Sequence, residues 1–217
     1  MSNAKVRMIR RAAREIKPGM IVNLGIGLPT QVIDQLPGDM PVCLHSENGI
    51  TGIGPTLPND KADWNLIDAG GTYVSPLPGT AYFDSATSFA LVRGGRLDLT
   101  MLGAFEVSMR GDLANWKIPG LFTPGAGGGI ELAQKARRVV ILTTHQDRKG
   151  RSKIVRDCSL PLTAKACVGR VFTDMAVIDI SPEGLVLREV LEGLTAKDVI
   201  AATDAPLIIP EGEIPRF

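Results

Sequence analysis

The chain of 217 residues is short of several things, and each shortage removes a class of function. It holds two histidines and three cysteines. Cys43, Cys158 and Cys167 lie far apart and form no Cys-x-x-Cys pair, so no metal-ligand cluster is written into the sequence. An odd cysteine count without a pairing pattern predicts reduced thiols and a cytoplasmic location. Aromatic residues make up only 5%, and 24 basic against 23 acidic residues leave a formal net charge of +1. No basic stripe interleaved with aromatics is present, so nucleic acid is not an expected partner. No run approaches the ~20 apolar residues of a membrane span. The basic, amphipathic stretch from Met1 to Arg14 lacks the apolar core of a secretory signal. A membrane is therefore not expected as a partner either.

What the chain does have is 24 glycines and 15 prolines within a 44% hydrophobic, 22% charged composition. That pattern predicts many tight turns between strands and helices. Val6, Ile9, Ala13 and Ile16 share one face of a helix over 5–17, stopped by Lys17-Pro18-Gly19. Strands are expected at 20–24, 41–45, 64–67, 97–102, 137–144, 171–180 and 185–190. Helices are expected at 30–36, 85–93, 131–136 and 195–202. Asp84-Ser85 is placed to cap the second of these, with Gly94-Gly95 at its end. Gly49, Gly52, Gly54 and Pro55 argue against a long strand, so 51–63 reads as an irregular excursion, as does the Pro/Gly-rich stretch 75–80. Residues 104–130 read as a long, glycine-rich loop of the kind that carries function. Strands alternating with helices predict an α/β fold: one domain over 1–217 with an open, mostly parallel sheet and flanking helices.

Three segments follow predicted strands or lie in that loop. Asn23-Leu24-Gly25-Ile26-Gly27 is a glycine turn but not a dinucleotide fingerprint, since position 30 is Thr. Ser46-Glu47-Asn48-Gly49 puts a carboxylate on a tight turn at the end of a strand, where α/β sheets present reacting groups. Gly125-Ala126-Gly127-Gly128-Gly129 lets backbone approach a ligand closely, with N–H groups exposed. By themselves these segments are also readable as a solvated loop carboxylate, simple turn chemistry and a flexible hinge. Together they fit a nucleophilic carboxylate attacking an acyl group held by backbone donors.

In order along the chain, these three segments with Tyr82-Phe83-Asp84-Ser85 and Gly111-Asp112-Leu113-Ala114-Asn115-Trp116 resemble the β subunit of 3-oxoacid CoA-transferases, from about Ala4 to Ala205. The resemblance implies an open α/β fold related to sugar-phosphate isomerases and implies that Glu47 is the nucleophile. It assigns Asn23 and Gly128 to the substrate and its acyl oxygen. We add Gly127 as a second amide donor and assign Gly25, Gly27 and Asn48 to contacts with CoA. It further implies a homologous α subunit, commonly in an α2β2 assembly, with acyl-CoA and a carboxylic acid as substrates, no metal and no resident cofactor. Two positions depart from the family's pattern: Gly71 stands where Ala-Gly-Lys is frequent, and the run Gly127-Gly128-Gly129-Ile130-Glu131 replaces Gly-Gly-Ala-Met-Asp.

The implied chemistry moves no proton, which matches a chain with two histidines. His145 is expected to order the 145–153 loop, and His45 to shape the pocket from two residues away. Arg148, Lys149, Arg151 and Lys153 are readable as a solvated face or as a site for CoA phosphates. Asp84 is expected to cap, and the cysteines to pack. Two alternatives remain, a sugar-phosphate isomerase-like enzyme and a non-catalytic sensor of acyl-CoA or another small ligand. The first wants a second carboxylate; the second has no need of Glu47.

Overall fold

The computed structural model describes residues 3–121, 123 and 125–217. In chain order it runs α1 (Asn3–Ala13), β1 (Ile21–Leu24), a 3-10 helix (Pro29–Gln35), β2 (Cys43–Ser46), β3 (Ile50–Thr56), β4 (Val74–Tyr82) and α2 (Ser85–Arg93). Then come β5 (Leu99–Leu102), β6 (Glu106–Ser108), β7 (Leu113–Ala114), α3 (Gly129–Lys135), β8 (Val139–Leu142), β9 (Ile154–Val155), β10 (Arg170–Phe172), β11 (Ala176–Ser181), β12 (Gly184–Val190), α4 (Ala196–Ala202) and β13 (Leu207–Ile208). One ten-stranded sheet has the order β13-β12-β11-β10-β8-β5-β1-β2-β3-β4, and β7-β6-β9 forms a small second sheet. The five central strands, β10-β8-β5-β1-β2, are all parallel, with antiparallel strands added on both sides.

Alternation along the central strands explains why both faces are covered. Leu99 and Met101 of β5, with Val140 and Leu142 of β8, pack among Met8, Ile9 and Ile16 at α1 and Val32 of the 3-10 helix. Their neighbours Leu102, Val139 and Ile141 point the other way, toward Val92 of α2, Leu132 of α3 and Val199 of α4. Side chains two apart share a face, so each buried strand feeds two cores at once.

Helix α1 is also held by charge. Arg11 binds Glu189 of β12 at 2.5 Å and Glu15 at 3.1 Å, while Glu15 accepts from Arg138 at 2.8 Å and Arg170 at 2.9 Å. Arg170 and Arg188 converge on Asp179. Burial would raise the Glu15 carboxyl, but the bonds from Arg138 and Arg11 outweigh it and hold the group below its usual range.

Several expectations are corrected. Residues 50–56 and 74–82 are not irregular; they form the β3–β4 pair, with register shifts at Thr51/Ile53 and Ile53/Thr56 that absorb the glycines and Pro55. Pro76 and Pro78 are tolerated because β4 is the sheet's edge. The stretch 64–67 is a turn ending in an isolated bridge between Ile67 and Tyr73. Residues 171–180 break into β10 and β11 at Thr173. The Thr173 hydroxyl accepts from the Met175 and Ala176 amides, closing a turn without Gly or Pro. The 104–130 segment contains β6 and β7, so only part of it is loop. The cap at Asp84 is as expected, its carboxylate accepting from the Thr87 amide at 2.7 Å.

Candidate active site

The chain reverses direction in sheet order at β1: it steps to β2 on one side and later to β5 on the other. Such a switch point leaves a crevice at the carboxyl ends of the strands. Asn23 sits there, paired in register with His45 of β2 and Thr100 of β5, and is 1% exposed. Its Nδ2 donates to the His45 carbonyl at 3.2 Å and to Glu47 Oε2 at 3.0 Å. Its Oδ1 accepts from the Thr100 hydroxyl at 3.1 Å. A carbonyl can only accept, so His45 fixes which end of the amide faces β2, and the NH2 group is aimed at Glu47.

Glu47 occupies the hairpin turn between β2 and β3, closed by Gly49 N–H to the Ser46 carbonyl at 3.1 Å. Gly49 has φ +117°, and a Cβ there would lie 2.0 Å from the Phe83 carbonyl oxygen. Both conformation and space therefore demand glycine. A second loop is clipped onto this turn. The Ala69 amide donates to Ser46 Oγ at 2.8 Å, and Asn48 Nδ2 donates to the Ile67 carbonyl at 2.8 Å. Asn48, assigned to CoA from the sequence, directs this amide bond to the protein itself. Gly71, at φ +78°, lies on the same loop with open space around it.

Gly128 reaches Glu47 from the far end of the 104–130 segment. A Cβ on Gly128 would meet Phe89 Cζ at 2.8 Å and Glu47 Cγ at 3.2 Å. Gly127, at φ +52°, has open space beside it. The next amide, Gly129, donates to the Ala126 carbonyl at 3.2 Å. Gly25 donates to the Met101 carbonyl at 2.8 Å, and a Cβ there would lie 3.0 Å from Leu102 Cδ2, so its N–H is taken up in closing β1 against β5. Gly27, at φ +96°, is exposed on the same turn. Asn23, Glu47 and Gly128 thus meet at one point, and Gly127 flanks it.

The two histidines are buried and neutral. His45 bonds Ser88 Oγ through Nε2 at 2.9 Å and stacks on Phe83, and burial pulls its pKa down to about 4. His145 is held between Thr173 and Thr203 at 3.0 and 2.9 Å, and burial again lowers it to about 4. Its carbonyl takes the Lys153 amide, closing the polar loop. Arg151 pairs with Asp147, while Lys153 Nζ donates to Thr143 Oγ1. Both line a separate cleft of about 750 Å³ beyond β8. Burial raises the Cys158 thiol to about 12 and the Cys167 thiol to about 11, which keeps both unreactive.

Thr100 and Phe89 belong to this site but are not singled out by the sequence. Thr100 is the one hydroxyl in an otherwise apolar strand, and that is the available signal. Phe89 gains its role through contact with Gly128, distant in sequence. Conversely, two residues of a motif that carries the resemblance are scaffolding. Asn115 is bonded to Thr163 and the Gly103 carbonyl, and Trp116 Nε1 donates to the Leu162 carbonyl.

Residues 5–202 match the family model described as Coenzyme A transferase. The chain is 45% identical over 211 residues to one subunit of a probable succinyl-CoA:3-ketoacid coenzyme A transferase of Bacillus subtilis, covering 97% of this chain and 98% of that one. It is 44% identical over 206 residues to one subunit of a 3-oxoadipate CoA-transferase of Pseudomonas putida, covering 94% and 96%. Its fold is similar to that of an acyl-CoA transferase from E. coli O157:H7 solved as a thioester complex with CoA. That match has TM-score 0.79 at 21% identity and covers all of this chain but 43% of the longer one.

Proposed function

Because the chain belongs to the coenzyme A transferase family, we propose that Glu47 is the nucleophile with which it moves CoA between an acyl-CoA and a free carboxylic acid. One observation carries this: at the sheet's switch point the Glu47 carboxylate sits 3.0 Å from a fixed amide donor, Asn23 Nδ2, with the Gly128 backbone packed on its Cγ.

Glu47 attacks the thioester carbonyl, giving an acyl-glutamyl anhydride and CoA thiolate. The thiolate attacks the glutamyl carbonyl, leaving a glutamyl-CoA thioester and the free acid. The acceptor carboxylate then runs the same steps in reverse, so turnover is ping-pong. No step transfers a proton, and the neighbouring His45 is kept neutral by burial, so it does not pair with the nucleophile. Asn23 Nδ2 and the Gly127 and Gly128 amides stabilise the tetrahedral oxyanions. Gly25, packed against Leu102, shapes the turn that borders the substrate rather than donating to it, while Gly27 and Asn48 border its path. Coenzyme A enters as substrate, and the chemistry requires no further cofactor.

The two bacterial relatives above are each named as one subunit of their enzyme. We take the partner to be a homologous α subunit in an α2β2 assembly that completes the acid pocket. The donor class is 3-oxoacyl or short-chain acyl. A cytoplasmic location fits three cysteines that form no disulfide, and no helix among the described residues is long and apolar enough to cross a membrane.

The test is intact-mass analysis of the assembled enzyme incubated with acetoacetyl-CoA and no acceptor. A CoA-sized adduct on the peptide carrying Glu47, absent in Glu47→Ala, is the expected result. CoA binding without an adduct or CoA release would overturn the covalent mechanism and favour a sensor.

A further inference from the structure

At the opposite end of the parallel strands from Glu47, where β8 and β10 begin, is a cleft of about 330 Å³ lined by Arg137, Arg138, Arg170 and Arg188. Among the described residues, Asp179 is the one carboxylate in its lining. Four guanidinium groups therefore line a small space, held by three carboxylates, Asp179, Glu15 and Asp98, of which only Asp179 faces into it. Nothing in the transfer reaction uses them.

The carboxylates that hold these arginines lie at the floor or the rim. Asp179 takes Arg170 on both oxygens and Arg188 at 2.8 Å. Glu15, 8% exposed, takes Arg138 and Arg170 from beneath. Asp98 takes Arg137 at 2.8 Å. A guanidinium carries five N–H donors in a planar fork. Arg137, Arg138 and Arg188 each give one of theirs to a carboxylate. Their side chains are 62%, 47% and 49% exposed, so the remaining donors open onto the cleft and solvent. Arg170, at 24%, is locked by Asp179 and Glu15 and forms a rigid back wall.

The N–H donors that Arg137, Arg138 and Arg188 keep free, around a space equivalent to about ten water molecules, fit a tetrahedral oxyanion bound through N–H contacts from more than one guanidinium. Among the described residues no aromatic side chain lines the cleft, so they offer no base-stacking platform of the kind that binds nucleic acid. We propose that this cleft is a binding site for a small phosphorylated anion, distinct from the transfer site and separated from it by the length of the parallel strands. The diphosphate group is the recognised element, whether free or as part of a nucleotide. Because Arg138 and Arg170 also hold Glu15 after α1, a bound anion tightens the junction between the chain's first helix and β10–β12.

The experiment titrates inorganic pyrophosphate, ADP and adenosine into the chain assembled with its α partner, using calorimetry at physiological ionic strength. Pyrophosphate and ADP are expected to bind saturably and raise the melting temperature by linkage, and adenosine to do neither. ADP binding without pyrophosphate binding would overturn the claim that the diphosphate is what is recognised. The double variant Arg137→Ala/Arg188→Ala should weaken binding by roughly tenfold or more. Its turnover at Glu47 should be unchanged, since both residues are exposed and far from the nucleophile. Arg137→Lys/Arg188→Lys, which keeps charge but loses the forks, should fall between the two. No saturable binding, or equal affinity in wild type and the double variant, would overturn the proposal. Because transfer activity is read separately, failure here leaves the role of Glu47 untouched.

Discussion

Gly128 has φ −76°, open to any residue, yet it leaves space for a hydrogen only. The restriction comes from the Phe89 ring and the Glu47 Cγ rather than from its own backbone. Gly128→Ala should therefore fold normally but push the nucleophile or the 104–130 segment aside. A displacement of that order costs about 10²-fold in rate. Single-turnover formation of the glutamyl adduct should slow accordingly, with an unchanged circular dichroism spectrum; an unimpaired rate would mean that the contact is slack. Asn23 shows the opposite design, since every polar atom of its side chain is engaged and its orientation is imposed by a main-chain carbonyl. The sequence marked Asn23, Glu47 and Gly128 because each lies beside glycines in a recognisable string. It could not mark Thr100 or Phe89, whose only distinction is what the fold brings against them.

Among the elements, the β2–β3 hairpin positions the nucleophile, and Gly49 is its least replaceable residue. Gly49→Ala combines a left-handed backbone with a clash against the Phe83 carbonyl. The expected outcome is a loss of a few kcal/mol in urea unfolding together with loss of transfer, because Glu47 shares the turn. Stability within a few tenths of a kcal/mol of wild type would contradict it. The same hairpin and its neighbour β4 are where the sequence was least legible. Gly52, Gly54, Pro55, Pro76, Pro78 and Gly79 are each strand breakers by local propensity. Bulges and an edge position let the sheet accept them, and neither is written in local propensity. The parallel centre was legible because β8 and β5 are short apolar runs bounded by turns, the pattern of strands buried on both faces.

For the molecule as a whole, the buried histidines dictate the response to acid. His45 and His145 have folded pKa values of about 4 against an ordinary value near 6.5. The unfolded chain therefore binds more protons between those values, and stability falls as pH drops from about 6.5 to 4, by about 3 kcal/mol per histidine. Below that, Glu15 and Asp179, held low by their arginines, add further loss as they protonate. Urea midpoints measured across this range should decline with falling pH, and His145→Asn should flatten the upper part of the slope. A flat profile from pH 6.5 to 4 would show that neither ring is buried as a neutral base.

One last consequence concerns the sheet's open sides rather than its centre. One side ends in β13, only two residues long, and the other in β4, nine residues of which most face solvent. A long exposed strand is ordinarily a template for runaway polymerisation between copies. Pro76 and Pro78 deny it the amide hydrogens that such stacking needs. Anyone redesigning this chain for production should treat those two prolines as protection against fibril formation, and resist replacing them with residues that favour a straighter strand.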